Sequence, residues 1–341
     1  MVNGRRICGS ASKTKSDALR SLRKKIEEAA LPYQEPRPTL AEYVARTLEG
    51  PYAERVINGD MAETTLQTYT SAHLRHIEGT EFGDIPLDLL EPFQIEEWLT
   101  NLKSLPRKTK PPKPISAATK RRYAVMLSGI LERARKVDKW IITNPVRDAE
   151  KPTPEVPEFR ILTKEEVSSL LKLASETKAS ETPRKMLLIV MLGLHGLGPS
   201  EICGLRFEDF DGEGIDVKRQ AKRGKLKHQL KTHNRKGWVA IHDDLKKLLE
   251  NQPNGYVVGT SRATPLAEGN LRRMFHSMVK GTAFAGLLPY DLRHTFAMRL
   301  LEEGNDIRTV AELMRNTPEV VLNRYVRSRK DLKTKAVKDL F

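Results

Sequence analysis

Tyr290-Asp291-Leu292-Arg293-His294-Thr295-Phe296-Ala297 is followed by Leu313-Met314-Arg315-Asn316, and then by Tyr325, at a spacing of nine from Asn316 to Tyr325. Upstream lies Gly196-Leu197-Gly198-Pro199-Ser200-Glu201, carried on an apolar helical pattern that runs from Arg184 to Leu205. The rest of the chain is read outward from these three strings.

In order and in distance the strings resemble the catalytic domain of the tyrosine recombinases, the phage integrase family. Family members usually read G-L-R-x-S-E, then H-x-L-R-H-T, then L-x-x-H or L-G-H, then Y. That resemblance implies a particular chemistry. A tyrosine hydroxyl attacks a DNA phosphodiester, leaving a 3′-phosphotyrosyl bond and a free 5′-hydroxyl, with no metal and no cofactor. Two arginines clamp the non-bridging oxygens with charge-assisted hydrogen bonds. A hairpin lysine is the general acid, and two further groups, His with His or Trp, support proton transfer.

Carried over residue by residue, Tyr325 takes the nucleophile position and Arg293 that of the second arginine. Lys231, in Leu230-Lys231-Thr232, takes that of the hairpin lysine, and His294 an architectural one. Three positions depart. Gly198 stands for the first arginine, Tyr290 for the first histidine and Asn316 for the second histidine or tryptophan. Glycine brings no donor. Tyrosine is a poor proton shuttle near neutrality, with a reference pKa of about 10. Asparagine donates a hydrogen bond but exchanges no proton.

Losing one preorganised donor costs about 100- to 1000-fold in rate. Losing a general acid or base costs about 100- to 10,000-fold. The set Gly198, Lys231, Tyr290, Arg293, Asn316 and Tyr325 is therefore expected to be vestigial, with no active catalytic residue. Two cations could stand in for the missing arginine. Arg206 lies eight residues past Gly198 (206 − 198), about two turns on if the helix continues; Arg315 neighbours Asn316 but points roughly 100° away if both are helical. Without an arginine at 198, Tyr325 reads better as a packed aromatic than as a nucleophile.

Composition agrees with a polyanionic partner. Of 341 residues 39% are hydrophobic and 30% charged, with a formal net charge of +15. Lysines and arginines at phosphates release condensed counterions, so such a surplus favours nucleic acid. Cys8 and Cys203 make neither a disulfide framework nor a zinc spacing. Cys203, in an apolar helical pattern, is expected to pack as a small hydrophobe. The histidines show no metal-ligand spacing, and His195 reads as structural. No apolar run approaches the roughly 18 residues of a membrane span, and no signal peptide is read at the start. A reducing bacterial cytoplasm, on the nucleoid, is the expected location.

The chain divides into five segments. Residues 1–31 read as a basic, truncated arm-binding-like segment whose helix runs from about Asp17 to Ala30, and 32–38 as a proline-rich linker. Residues 39–149 read as a helical core-binding domain. Its helices are expected from Thr39, over 64–77 (with Leu66, Tyr69, Leu74 and Ile77 inward), over 93–102, and over 116–137. Asn144-Pro145 ends it. Residues 150–158 form a second linker. Residues 159–341 read as the recombinase-like domain, opened by Thr163 with Glu166 as a capping box. Strand-like flanks, 215–217 and 237–241, enclose a basic hairpin with no acidic residue from Lys218 to Lys236.

The predicted fold is mainly α with a small antiparallel β-sheet. The resemblance implies two domains closing as a C-shaped clamp on double-stranded DNA. The cations expected at phosphates are Lys120, Arg121 and Arg122 at a helix start, then Lys218, Arg219, Lys222, Arg223, Lys225, Lys227, Lys231, Arg235 and Lys236 on the hairpin, and Arg293. A C-terminal helix over about Asp331 to Phe341 resembles the segment that family members dock onto a neighbour, which allows self-association on DNA. The expected function is site-specific DNA binding without cleavage, as in a phage or prophage regulator. A working integrase using Tyr325 and an accessory factor in a recombination complex are the alternatives.

Overall fold

The computed structural model describes residues 18–19, 21–22, 25, 37–104, 111–155, 159–177, 183–227 and 237–326. The predicted helix over 17–30, the C-terminal helix over 331–341, and Lys231, Arg235 and Lys236 lie outside these or nearly so. The chain separates into two compact units, Met1–Pro157 and Glu158–Phe341.

In the first unit helix α1 spans Leu40–Thr47. Thr39 caps it: the Thr39 hydroxyl accepts from the Glu42 N–H at 3.3 Å, and the Glu42 carboxylate accepts from the Thr39 N–H at 2.8 Å. Gly50-Pro51 then widens the coil over Leu48–Tyr52, since proline offers no N–H to the ladder. Helices α2 (Ala53–Ile57), α3 (Glu63–His76), α4 (Pro92–Asn101), α5 (Ala117–Lys136) and the short α6 (Pro145–Asp148) follow. Helix α5 buries Ala124, Leu127, Leu131 and Ala134, a 3–4 spacing that makes one face apolar. These pack with Leu40, Val44, Ile77, Ile95 and Leu99 in one core.

Two expectations for this unit need adjusting. Leu66 and Tyr69 are only partly buried against the core, and Leu74 is 57% exposed. Buried Ala72 and His73 take the inner face of α3 instead. Asn144 does more than end the bundle. Its side-chain oxygen accepts from the Val146 N–H at 3.2 Å, and its Nδ2 donates to the Ser128 carbonyl at 2.9 Å, tying α6 to α5.

The second unit begins with α7 (Lys164–Glu176) and α8 (Pro183–Leu194), then α9 (Pro199–Gly204). The Thr163–Glu166 capping box opens α7 with bonds of 3.2 and 3.0 Å. Strand β1 (Gly214–Val217) pairs antiparallel with β4 (Gly237–Ala240), Ile215 opposite Val239. Between them β2 (Gln220–Lys222) and β3 (Lys225–Lys227) form a second two-stranded ladder. Its turn, Arg223-Gly224, has both φ angles positive (51° and 75°), the geometry whose twist suits a two-residue hairpin. The described part of the basic stretch, through Lys227, thus forms a ladder separate from the β1–β4 pair. Helices α10 (Asp243–Leu249), α11 (Glu268–Val279), α12 (Pro289–Glu302), α13 (Ile307–Leu313) and α14 (Pro318–Val321) complete the unit, with a wide turn over Leu322–Val326. Cys203 is fully buried, and burial pushes its thiol up to about 12.

Gly204 shows how tightly α9 lies on the hairpin. A Cβ there would stand 2.8 Å from the Gln220 Cα and 2.9 Å from its carbonyl carbon. Backbone cannot swing aside as a side chain can. Gly204→Ala is therefore expected to destabilise the second unit by about 1–3 kcal/mol, read as a lower urea midpoint with an unchanged m-value.

Candidate DNA-phosphate site

The three diagnostic strings converge in the second unit, around one carboxylate. Gly198 precedes α9, and its N–H donates to Glu201 Oε2 at 2.9 Å. Arg293, on α12, donates from Nη1 to the same oxygen at 3.0 Å and to the Gly196 carbonyl at 2.6 Å. Its Nη2 donates to the Met314 carbonyl just past α13. Arg315 donates from Nη2 to Glu201 Oε2 at 2.6 Å. Glu201, Arg293 and Arg315 are 2%, 1% and 3% exposed. Two buried guanidiniums thus share one carboxylate, and carbonyls near the C-terminal end of α13 help to balance the second charge.

A second cluster surrounds His294. Its ring stacks on Phe159 at 4.2 Å and meets Tyr290 edge-on at 5.0 Å. Its Nδ1 lies 2.7 Å from the Tyr325 hydroxyl, and its Nε2 lies 3.3 Å from Arg324 Nη2. Arginine only donates, so Nε2 is the acceptor, and the neutral ring must carry its proton on Nδ1. The Tyr325 hydroxyl then accepts from His294, so His294 in this tautomer takes no proton from it. Tyr325 is 2% exposed, and burial pushes its hydroxyl up to about 12. Burial first, then the neighbouring Arg324 and Arg293, push the His294 imidazole down to about 3.

Of the expected positions, the fold brings Gly198, Tyr290, Arg293 and Tyr325 together, and Asn316 stands directly after the Arg315 turn. Arg206 does not reach the cluster. The helix ends at Gly204; the Arg206 side chain lies 2.7 Å from Glu208 and over the Tyr256 ring. Arg315 does reach it. The helical projection that aims it elsewhere fails because α13 stops at Leu313 and Arg315 adopts φ +52°. Arg324, exposed and over the Tyr290 ring at 5.8 Å, does not stand out in the sequence. Only its place beside Tyr325 could signal it.

The candidate phosphate contacts differ among themselves. Arg121 and Arg122 are exposed near the start of α5. Lys120 is half-buried, and its Nζ donates to the Thr100 carbonyl at 2.9 Å. Lys218 and Lys225 are exposed, the former 3.1 Å from Asp216. Lys222 and Arg223 sit at the hairpin turn, and the backbone of Lys227 ends β3. Arg219 is taken up inside the fold. It holds the buried Asp209 through two bonds of 3.1 and 2.9 Å, a forked geometry that fixes the chain entering the hairpin.

Residues 160–331 match the profile of the phage integrase family. Among curated relatives, the tyrosine recombinase XerC of Staphylococcus carnosus is 27% identical over 162 residues, covering 47% of this chain and 54% of that protein. The tyrosine recombinase XerD of Mycobacterium tuberculosis is 28% identical over 289 residues, covering 80% and 89%. The chain spans about half the length of the first relatives it matches. In fold it is similar to the Tn1549 transposon integrase solved with a circular intermediate DNA. The TM-score is 0.71 at 20% identity, over 89% of this chain and all of that one.

Proposed function

Because this chain belongs to the phage integrase family, we propose that it binds a specific double-stranded DNA site without cutting it. In this reading it serves a phage or prophage as a transcriptional regulator, an immunity repressor. One observation carries the reading: Gly198 brings no guanidinium to the first clamp position while Arg293 and Arg315 turn inward onto Glu201. Tyr290 and Asn316 bring no proton shuttle, and Arg293 is bonded to Gly196, Glu201 and Met314. The would-be nucleophile is buried, its hydroxyl is pushed up to about 12 by that burial, and it faces His294 Nδ1 at 2.7 Å.

Binding needs none of these groups. Exposed Arg121, Arg122, Lys218 and Lys225, with Arg223 at the hairpin turn, supply phosphate contacts, which position a protein on the duplex. A protein that reads a site and leaves it intact blocks transcription where that site overlaps a promoter, which is the role proposed here. The solved relatives bound to DNA support a duplex partner. Among the described residues no helix is long and apolar enough to cross a membrane, and the proposed place of action is nucleoid DNA in a bacterial cytoplasm.

The second reading is a working strand transferase through Tyr325. The curated relatives named tyrosine recombinases favour it. A nicked suicide duplex carrying the binding site separates the two. The expected result is a tight complex, weakened steeply by salt, with no protein–DNA adduct on a denaturing gel. An adduct that disappears in Tyr325→Phe rejects the non-cutting reading.

A further inference from the structure

Two positions in the carboxylate cluster hold residues that suit each other's backbone better than their own. Gly198 has φ −81° and ψ 158°, an ordinary extended conformation open to any residue. A Cβ there would meet nothing nearer than Tyr290 Cε2 at 3.6 Å and Glu201 Oε2 at 3.7 Å. The backbone and the space immediately around it admit a side chain where there is none.

Arg315 is the reverse. Its N–H donates to the Glu312 carbonyl at 2.9 Å, and the Asn316 N–H donates to the Ala311 carbonyl at 2.8 Å. Those two bonds define a helix-ending turn whose left-handed residue is usually glycine, because a Cβ is strained there. Here that residue is an arginine with φ +52°, buried to 3% exposure. Its stem passes Gly237, where a Cβ would lie 3.5 Å from Arg315 Cγ, and its head reaches Glu201 at 2.6 Å. A strained and buried arginine persists only where something offsets it, and the carboxylate beside Gly198 is that partner.

We propose that Arg315 is an exchanged charge. From the turn after α13 it supplies Glu201 with the guanidinium that position 198 does not bring, and so keeps Arg293 and the Gly196–Glu201 segment in place. Arg315 is a positioning residue acting through Glu201. Its head is buried, so it neutralises the carboxylate without presenting a cation at the surface.

A mutant cycle in the full chain tests this, with Gly198→Arg, Arg315→Gly and the double variant followed by thermal and urea unfolding. Arg315→Gly should lower Tm by roughly 5–10 °C, although it relieves the left-handed backbone. Gly198→Arg alone should also lower Tm, by crowding a third cation onto one carboxylate. In the Arg315→Gly background the same Gly198→Arg change should raise Tm. That reversal of sign is the signature of exchange, because a purely local role for Arg315 would leave the effect of the second site unchanged. Equal signs in both backgrounds overturn the proposal. If Arg315→Gly does not fold, Arg315→Met, which keeps the stem and removes the charge, takes its place in the cycle. The readout is stability, so the outcome does not depend on whether the protein cuts DNA.

Discussion

Arg293→Met should lower the unfolding free energy of the second unit by about 3–5 kcal/mol, the usual cost of removing one partner from a buried charge network. Arg293 serves three acceptors, the Gly196 carbonyl, Glu201 and the Met314 carbonyl. Methionine fills much of the volume but leaves both carbonyls without this donor in a dry site, each costing about 1–3 kcal/mol. Lysine should rescue little, because one ammonium on a flexible stem cannot span acceptors placed for a planar fork. The measurement is urea denaturation of wild type, Arg293→Met and Arg293→Lys. A normally stable Arg293→Met protein that had lost only DNA affinity would show that Arg293 is a phosphate ligand rather than the centre of the cluster.

Mild acid should destabilise the second unit well above the pH at which carboxylates titrate. His294 is held near a pKa of about 3, against 6.5 in its ordinary state. Burial also lowers His195, whose Nδ1 faces the Met191 carbonyl at 2.7 Å and whose Nε2 accepts from the His242 N–H at 3.0 Å. The unfolded chain binds these protons first as pH falls. Stability is therefore fully present above about pH 6.5 and is lost progressively below it, for His294 down to about pH 3. Each such imidazole contributes a slope of up to about 1.4 kcal/mol per pH unit. Unfolding free energies measured from pH 7.5 to 5 should fall, and His294→Gln should flatten the fall by about one proton. An unchanged slope in His294→Gln would mean that the ring is not held neutral by burial.

Within the fold, patterns confined to one element are legible in the sequence and those that depend on a neighbour are not. The Thr39 and Thr163 caps, the apolar face of α5 and the Asn144-Pro145 ending follow from residues a few positions apart. The inner face of α3 does not follow, since Leu74 is exposed and His73 buried. Arg219 reads as one more cation of a basic hairpin, but Asp209, ten residues earlier, holds it inside. A helical wheel misplaces Arg315 because it assumes a helix, and the chain leaves that geometry at Leu313.

By itself the sequence determined the family, because helix periodicity and motif spacing are local properties of a chain. Tertiary structure alone decided where the remaining charges go. Arg293 and Arg315 lie 92 and 114 residues from Glu201, and whether a guanidinium faces solvent or a buried carboxylate depends on which distant segments exclude water around it. The same burial sets the His294 and Tyr325 proton affinities.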